Sequence, residues 1–262
     1  MRNIVSTLFV VALSFCFLPI DKAAALSGRF QVERSEFVLR LDDGRVLQRR
    51  QLIGLTLRLS GQDSGSEIRI TEIGEDDAAA RGPVTLYRLA AIHSADRPPS
   101  DLCEPDVRGR RVGFPLFNPS GGFDFVCTSG AAGKCVLMGY RAWETTDEMP
   151  LASLHRACVH MLRADYGGDD RPTTRNGTAV DIYDRFGIQS PDMRPDMSFE
   201  AAWSEDGAVC VAHPRIRQNI TLGALAERHD HLAGRLGPLA CTEEAMRAAP
   251  KAILFNRSVG HD

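Results

Sequence analysis

The sequence predicts an α+β protein, in which a small antiparallel β-rich N-terminal part is followed by a disulfide-braced mixed α/β C-terminal domain. Two observations support this fold class. Apolar and polar residues alternate in short runs through the first third of the chain, as in strands that bury one face. Six of the seven cysteines lie after residue 102, in a region that also contains an amphipathic helical pattern.

The amino terminus predicts export. Arg2 precedes a mostly apolar stretch from Ile4 to Ile20, and Ala23–Ala25 supplies the small residues that a signal peptidase recognises. We therefore predict a signal peptide over residues 1–25. An uncleaved membrane anchor is the alternative, because about 17 apolar residues is the lower limit for spanning a bilayer. After cleavage we expect an exported chain, periplasmic or extracellular, without stable membrane insertion.

Residues 26–97 form the predicted β-rich N-terminal region. Turn-forming clusters at 42–44, 61–66 and 75–82 separate its strands, which is typical of hairpins in a small antiparallel sheet or barrel. The strands are marked by apolar residues at every second position, namely Phe37, Leu39 and Leu41, then Leu55, Leu57 and Leu59, then Ile68 and Ile70, then Val84 and Leu86. Pro98–Pro99 marks the predicted boundary, and residues 98–262 form the cysteine-rich domain.

The cysteines predict three disulfides. Export would place them in an oxidising compartment, where an even number favours a complete set of pairs. Cleavage of the signal peptide leaves Cys103, Cys127, Cys135, Cys158, Cys210 and Cys241. Cys127 with Cys135 is the favoured pair, because the Gly- and Ala-containing segment between them can turn the chain back. There is no C-x-x-C motif, and hence no sign of a zinc ribbon or a thioredoxin-like redox site.

Helices and a hairpin are predicted in the second domain. Apolar residues from Leu151 to Leu162 fall at helical spacing on one stripe. Cys158 lies on that stripe, which suits a buried disulfide that anchors the helix to a neighbouring element. Further along, Asp206-Gly207 predicts a hairpin turn, and Thr221 and Thr242 predict the N-caps of two short helices.

Several short motifs in this domain resemble those of a known protein family. They include Leu102-Cys103-Glu104-Pro105, Gly139-Tyr140-Arg141-Ala142-Trp143, Arg163-Ala164-Asp165-Tyr166, Asp181-Ile182-Tyr183-Asp184 and Phe199-Glu200-Ala201-Ala202-Trp203. With these blocks in this order, the chain resembles the ADYC-domain family, a group of exported bacterial proteins whose function is not established. The resemblance implies an exported, disulfide-stabilised domain and no particular activity.

The chain departs from the family pattern at one position. Gly167 follows Asp165-Tyr166 where the resemblance implies a cysteine. If that cysteine forms a disulfide in the family, its partner should also be absent here. The predicted position of the lost partner is near His229, in the segment 227–231.

The end of the amphipathic helix carries most of the candidate functional residues, which are His155, Asp165, Tyr166, Asp169 and Asp170. Converging aspartates could bind Ca²⁺, which takes six to eight oxygen ligands. Their spacing does not match an EF-hand loop, so no metal and no cofactor is predicted. We expect Asp165 and Tyr166 to close the helix end and to hold the following loop through hydrogen bonds.

Trp143 and Trp203 are the aromatic candidates. They could line a ligand groove, but tryptophans in a chain with only two of them more often anchor the core beside disulfides. The net charge is −3, and the arginines are scattered through the chain. No nucleic-acid partner is therefore predicted, and the sequence identifies no other partner.

Two classes of function remain. The first is a binding or structural module without catalysis. The alternative is a secreted hydrolase with its site around Asp165, Tyr166, Asp169 and His155. The first is favoured because the sequence contains no G-x-S-x-G and no H-E-x-x-H motif. A serine–histidine site dispersed along the chain stays open, since such sites are defined by geometry and not by sequence order.

Overall fold

The computed structural model describes residues 28–58, 67–93, 97–118, 122–146 and 149–260. The predicted signal peptide and the predicted turn at 61–66 lie outside these residues. The strands are β1 Gly28–Glu33, β2 Glu36–Leu41, β3 Val46–Gln48, β4 Thr56–Arg58, β5 Glu67–Asp76, β6 Val84–Ile92, β7 Ser100–Asp101, β8 Gly113–Phe117, β9 Phe123–Cys127, β10 Asp181–Asp184, β11 Ser198–Ser204, β12 Gly207–Val211 and β13 Leu254–Ser258. The helices are α1 Ala131–Leu137, α2 Leu151–Arg163, α3 Leu222–Arg228 and α4 Glu243–Ala248, with short 3₁₀ helices at Arg49–Leu52 and Asp230–Leu232.

The strands form three antiparallel sheets, which confirms the α+β class. β1, β2 and β3 pair in that order, and the second sheet has the order β4-β5-β6-β8-β9 with β7 also paired to β6. The third sheet has the order β10-β13-β11-β12. Strands from both sides of residue 98 share the second sheet. The Pro98–Pro99 segment is the connection between two paired strands, β6 and β7, of this sheet.

An N-terminal core lies between the first two sheets. Phe37 is fully buried, and its ring packs against the ring of Tyr87 with centroids 4.9 Å apart. The hydroxyl of Tyr87 accepts a hydrogen bond from the backbone N–H of Phe37 at 3.0 Å, which satisfies both buried groups. Phe114 in β8 and Ile70 in β5 complete the same cluster.

A C-terminal core forms where α2 packs against β11 and β12. The apolar stripe of α2 is buried in it, including Leu151, Leu154 and Cys158. The predicted hairpin at Asp206-Gly207 joins β11 and β12, with Gly207 at a φ of 117° that favours glycine. Among the described residues, no helix has the length and apolar character needed to cross a bilayer.

Three disulfides brace the structure, as the cysteine count predicts. They join Cys103 to Cys127, Cys135 to Cys158, and Cys210 to Cys241. The predicted Cys127–Cys135 pair is wrong, because the segment after residue 130 forms α1 and not a reversing turn. Cys135 in α1 thus reaches Cys158, and the disulfide ties α2 to its neighbour as predicted for Cys158. Loops of this size correspond to about 3–4 kcal/mol each in the chain-entropy model.

Candidate functional site

The end of α2 carries the predicted motif residues. Ala164 ends the helix in the left-handed conformation, with a φ of 48°. Asp165 is fully buried, and its carboxylate accepts hydrogen bonds from the backbone N–H groups of Asp169 at 3.3 Å and Asp170 at 3.0 Å. The same carboxylate lies 3.0 Å from Nδ1 of His160. Asp165 therefore satisfies polar groups of the loop that follows α2 and holds that loop against the helix end.

Tyr166 belongs to a buried polar network. Its hydroxyl donates to Glu200 at 2.9 Å and accepts from the backbone N–H of Arg215 at 2.8 Å. The guanidinium of Arg215 donates to both carboxylate oxygens of Glu200 at 3.0 Å and to the carbonyl of Met161 in α2 at 2.8 Å. We call Tyr166, Glu200 and Arg215 the buried triad. It connects the end of α2 to the third sheet.

The electrostatics of the buried triad favour one charge state. Burial opposes ionisation of Glu200, but the adjacent Arg215 outweighs it and lowers the pKa of that carboxyl. Burial raises the pKa of the Tyr166 hydroxyl well above its usual range. The triad is therefore a neutral phenol joined to an ion pair, and every member already has a partner. Removing any one member would leave its partners buried and unsatisfied, so the triad ties the end of α2 to the third sheet.

The other charged candidates have separate partners. His155 is buried, its Nε2 donates to the carbonyl of Ala132 in α1 at 3.1 Å, and burial lowers its pKa. Asp169 and Asp170 are exposed, and Asp170 pairs with Arg163. Within the described part of the chain, no group of three or more His, Cys, Asp or Glu side chains could hold a metal ion.

Both tryptophans pack into the cores. Trp203 is fully buried, donates from Nε1 to the side-chain oxygen of Asn256 at 2.8 Å, and stacks on Tyr166 with ring centroids 5.3 Å apart. Trp143 is partly buried and packs against the N-terminal core. In this structure they serve as anchors of the cores, and neither lines the cavity described below.

Gly167 lies directly against His229. A Cβ atom added to Gly167 would lie 2.2 Å from Cε1 of the His229 ring, so any larger residue at this position requires the ring to move. The sequence argument places the partner of the missing family cysteine near His229. Position 167 therefore lies next to the side chain of residue 229, and the pairing of family cysteines at these two positions stays a prediction.

A cavity of about 740 Å³ lies elsewhere, and sequence reasoning missed it. It opens between the start of β11, the segment after β12, and the first turns of α3 and α4. Its apolar wall includes Phe199, Ala212, Leu222, Pro238 and Val259. Its polar wall includes Ser198, His213, Arg217, Thr221, Thr242 and Glu243.

Local structure fixes the cavity walls. The hydroxyls of Thr221 and Thr242 each accept a hydrogen bond from the backbone N–H three residues later, so both N-caps form as predicted. The disulfide between Cys210 and Cys241 joins β12 to the residue before the α4 cap. The walls are therefore preorganised by two capped helices and a covalent link.

The negative charge of Glu243 in the polar wall is balanced by two neighbouring arginines. Glu243 accepts hydrogen bonds from Arg247 at 2.8 Å and from Arg257 at 2.9 Å. Burial opposes its ionisation, but these two arginines outweigh burial and lower the pKa of Glu243. The carboxylate is therefore ionised and compensated, and it does not leave an uncompensated negative charge in the cavity.

Ser198 and His213 meet at the cavity. Ser198 is the first residue of β11, His213 follows β12, and Ser198 Oγ lies 3.0 Å from His213 Nε2. The predicted hairpin at Asp206-Gly207 could have indicated that these two residues are neighbours. Ser204 and Gly207 are the pair that closes the hairpin, Ser198 lies six positions before Ser204, and His213 lies six positions after Gly207. Residues equally far from a hairpin turn become neighbours.

The comparison with protein families agrees with the motifs. The family model of the ADYC domain matches residues 49–217, which is more than half of the chain. The match includes α2, the buried triad, Ser198 and His213, and it ends before α3 and α4. No curated protein and no solved structure matches the chain. The extent of the family match shows that the chain belongs to the ADYC-domain family.

Proposed function

We propose that the chain is an exported, disulfide-braced binding module, and that the cavity between β11, α3 and α4 is its binding site. The binding role by itself requires no catalysis. The cavity is the observation that carries the proposal, because small-molecule sites are concave, largely apolar and supplied with a few fixed polar groups. Export is supported by the predicted signal peptide and by the three disulfides, which persist in oxidising compartments.

The ligand class follows from the walls. Phe199, Leu222 and Val259 offer an apolar surface, whereas Ser198 and His213 offer hydrogen-bonding groups. An amphipathic molecule with a short acyl chain and a polar head would contact both the apolar surface and the hydrogen-bonding groups. A chain that buries about 200 Å² of apolar surface gains about 5 kcal/mol before the cost of association. We therefore expect weak binding, on the order of millimolar.

Exposed apolar residues next to the cavity support a binding role. Val259 lines the cavity and is 43% exposed, and Leu239 is 97% exposed beside the cavity residue Pro238. Exposed apolar surface that continues the wall of a cavity is typical of ligand-binding grooves.

The hydrolase predicted around Asp165, Tyr166, Asp169 and His155 gains no support from these residues. The carboxylate of Asp165 is engaged by backbone N–H groups, and His155 donates to a buried carbonyl. The histidine in contact with Asp165 is His160. These residues supply the frame of the binding module.

Binding is tested with decanoate, measured by calorimetry and by displacement of the fluorescent probe anilinonaphthalene sulfonate from the full chain. Val259→Trp should fill part of the cavity and weaken decanoate binding at least tenfold. Val107→Trp is the matched control, because Val107 is 94% exposed and does not line the cavity. Absence of binding, or equal weakening by the two variants, would contradict the proposal.

A further inference from the structure

Two serine–histidine hydrogen bonds occur within the described residues. Ser198 Oγ lies 3.0 Å from His213 Nε2, and Ser100 Oγ lies 2.9 Å from His93 Nε2. Only the first pair lines the 740 Å³ cavity. Because a hydrogen bond of this kind is common at protein surfaces, the pair at the cavity requires further support from its surroundings.

The first support is the orientation of the imidazole. Nδ1 of His213 lies 3.3 Å from the carbonyl oxygen of Pro214. A carbonyl oxygen only accepts, so Nδ1 carries the hydrogen and donates. Nε2 then holds a lone pair and accepts the hydroxyl hydrogen of Ser198. A histidine that activates a serine nucleophile has this tautomer, with its second nitrogen held by an acceptor.

The second support is the rigidity of the two segments that carry the pair. Glu200 lies two residues after Ser198, and Arg215 lies two residues after His213. Glu200 and Arg215 form the buried ion pair of the triad, and the backbone carbonyl of Glu200 accepts from the N–H of Ala212 at 2.8 Å. Each residue of the Ser198–His213 pair thus lies two positions from a member of a fully buried ion pair, which holds the backbone on both sides as a preorganised site needs.

The third support is access. Ser198 is exposed and His213 is half-buried, so a ligand in the cavity can reach the hydroxyl. Arg217 lines the same cavity.

We propose that Ser198 and His213 form a nucleophile–base pair that hydrolyses carboxylic esters of short apolar acids. The proposal rests on the binding cavity of the preceding section and adds a reaction to it. Nothing in it uses the residues at the end of α2 as chemical groups.

The reaction balances without any further reagent. Ser198 Oγ attacks the ester carbonyl carbon while its proton passes to His213 Nε2, and the bond from carbon to the leaving oxygen breaks. The proton on Nε2 goes to the leaving alkoxide, which departs as an alcohol and leaves an acylated serine. A water molecule then attacks the acyl carbon, gives its proton to Nε2, and releases the acid. The proton returns to Ser198.

The experiment uses the full exported chain, a fluorophosphonate probe and p-nitrophenyl butyrate. Intact mass should increase by one phosphonyl group per chain, and peptide mapping should place it on Ser198. Ser198→Ala should abolish labelling and ester hydrolysis, and His213→Gln should lower both rates about 100-fold. Ser100→Ala is the matched control and should leave both rates unchanged. Melting temperatures of all variants verify that each one folds.

The outcomes separate this inference from the binding role. Decanoate binding without labelling would overturn the nucleophile–base pair and leave the binding module intact. Labelling that also occurs on Ser100, or that persists in the denatured chain, would show non-specific reactivity and would overturn it equally. Absence of both binding and labelling would remove the proposed function together with this inference.

Discussion

Removal of the Arg215 guanidinium should destabilise the protein more than any exposed substitution. The side chain is 1% exposed, and its guanidinium donates two hydrogen bonds to Glu200. It also donates to the carbonyls of Met161 and Leu162 and to the hydroxyl of Thr174. Arg215→Met keeps an unbranched apolar stem of similar shape. The substitution therefore leaves the Glu200 carboxylate buried without its counter-charge.

The cost follows from that unpaired charge. Breaking a buried ion pair by removing one partner costs about 3–5 kcal/mol. For a chain of this size each kcal/mol lowers the melting temperature by about 2–4 °C, so Arg215→Met should lower it by about 6–20 °C. Glu200→Met combined with Arg215→Met should cost less than Arg215→Met alone. The double variant removes both charges. It leaves the Tyr166 hydroxyl without its acceptor and the carbonyls of Met161 and Leu162 without the guanidinium donor, at about 1–3 kcal/mol for each unpaired group.

The pH dependence of stability is a second test of the same ion pair. Arg215 lowers the pKa of Glu200 in the folded protein, so Glu200 contributes stability above its unfolded pKa, which is near 4.5. That contribution is lost as the pH falls through the lower folded pKa. In Arg215→Met the lowering contributions of Arg215 are gone, and burial should outweigh the remaining hydrogen bonds from Ser258 and Tyr166 and raise the pKa of Glu200. The variant should therefore regain stability on acidification from pH 7 towards 5.

Thermal and urea unfolding followed by circular dichroism measure these differences in the oxidised protein. An unchanged melting temperature for Arg215→Met, or a double variant that is less stable than the single one, would refute the role assigned to the ion pair. A parallel pH dependence of Arg215→Met and the parent protein would refute the electrostatic part of the reasoning.

Three further substitutions test other features. Gly167→Ala should lower the melting temperature because its Cβ would overlap the His229 ring. Adding His229→Ala should restore much of the loss. If Gly167→Ala lowered the melting temperature equally with and without His229→Ala, the contact with His229 would be excluded as the cause. Cys158→Ser should lower the free energy of unfolding of the oxidised protein by about 2–5 kcal/mol, because it removes the disulfide with Cys135. A melting temperature equal to that of the parent would contradict the bracing role of this disulfide. Asp165→Asn should lower the free energy of unfolding by about 1–3 kcal/mol and increase proteolysis in the loop after α2. Unchanged digestion kinetics would argue against Asp165 as the group that holds the loop.

Local patterns predicted much of the secondary structure. The α2 stripe, the hairpin at Asp206-Gly207 and the caps at Thr221 and Thr242 all depend on residues close in sequence, and all are present. The disulfide pairing was not predictable in the same way. The segment between Cys127 and Cys135 contains glycines that suit a turn, and its helical state depends on packing against α2.

The cavity and the buried triad depend on contacts that a single sequence does not reveal. Glu200 and Arg215 are charged residues, and charged residues in a sequence are most often solvated. Only the fold shows that both side chains are buried and paired. Ser198 and His213 are adjacent because of the hairpin register, which is set by the whole third sheet. The walls from α3 and α4 are brought to them by the Cys210–Cys241 disulfide.

The order of the three disulfides has a consequence for how the chain matures. Each bond joins a cysteine to the next one along the sequence, so the three covalent loops follow one another and none encloses another. In a chain that emerges amino terminus first into an oxidising compartment, each pair is complete before the following pair arrives. Oxidation of the cysteines in their order of appearance therefore yields the native connectivity directly. We expect a thiol oxidase alone to suffice for maturation, with no need for a disulfide isomerase to correct mispaired intermediates.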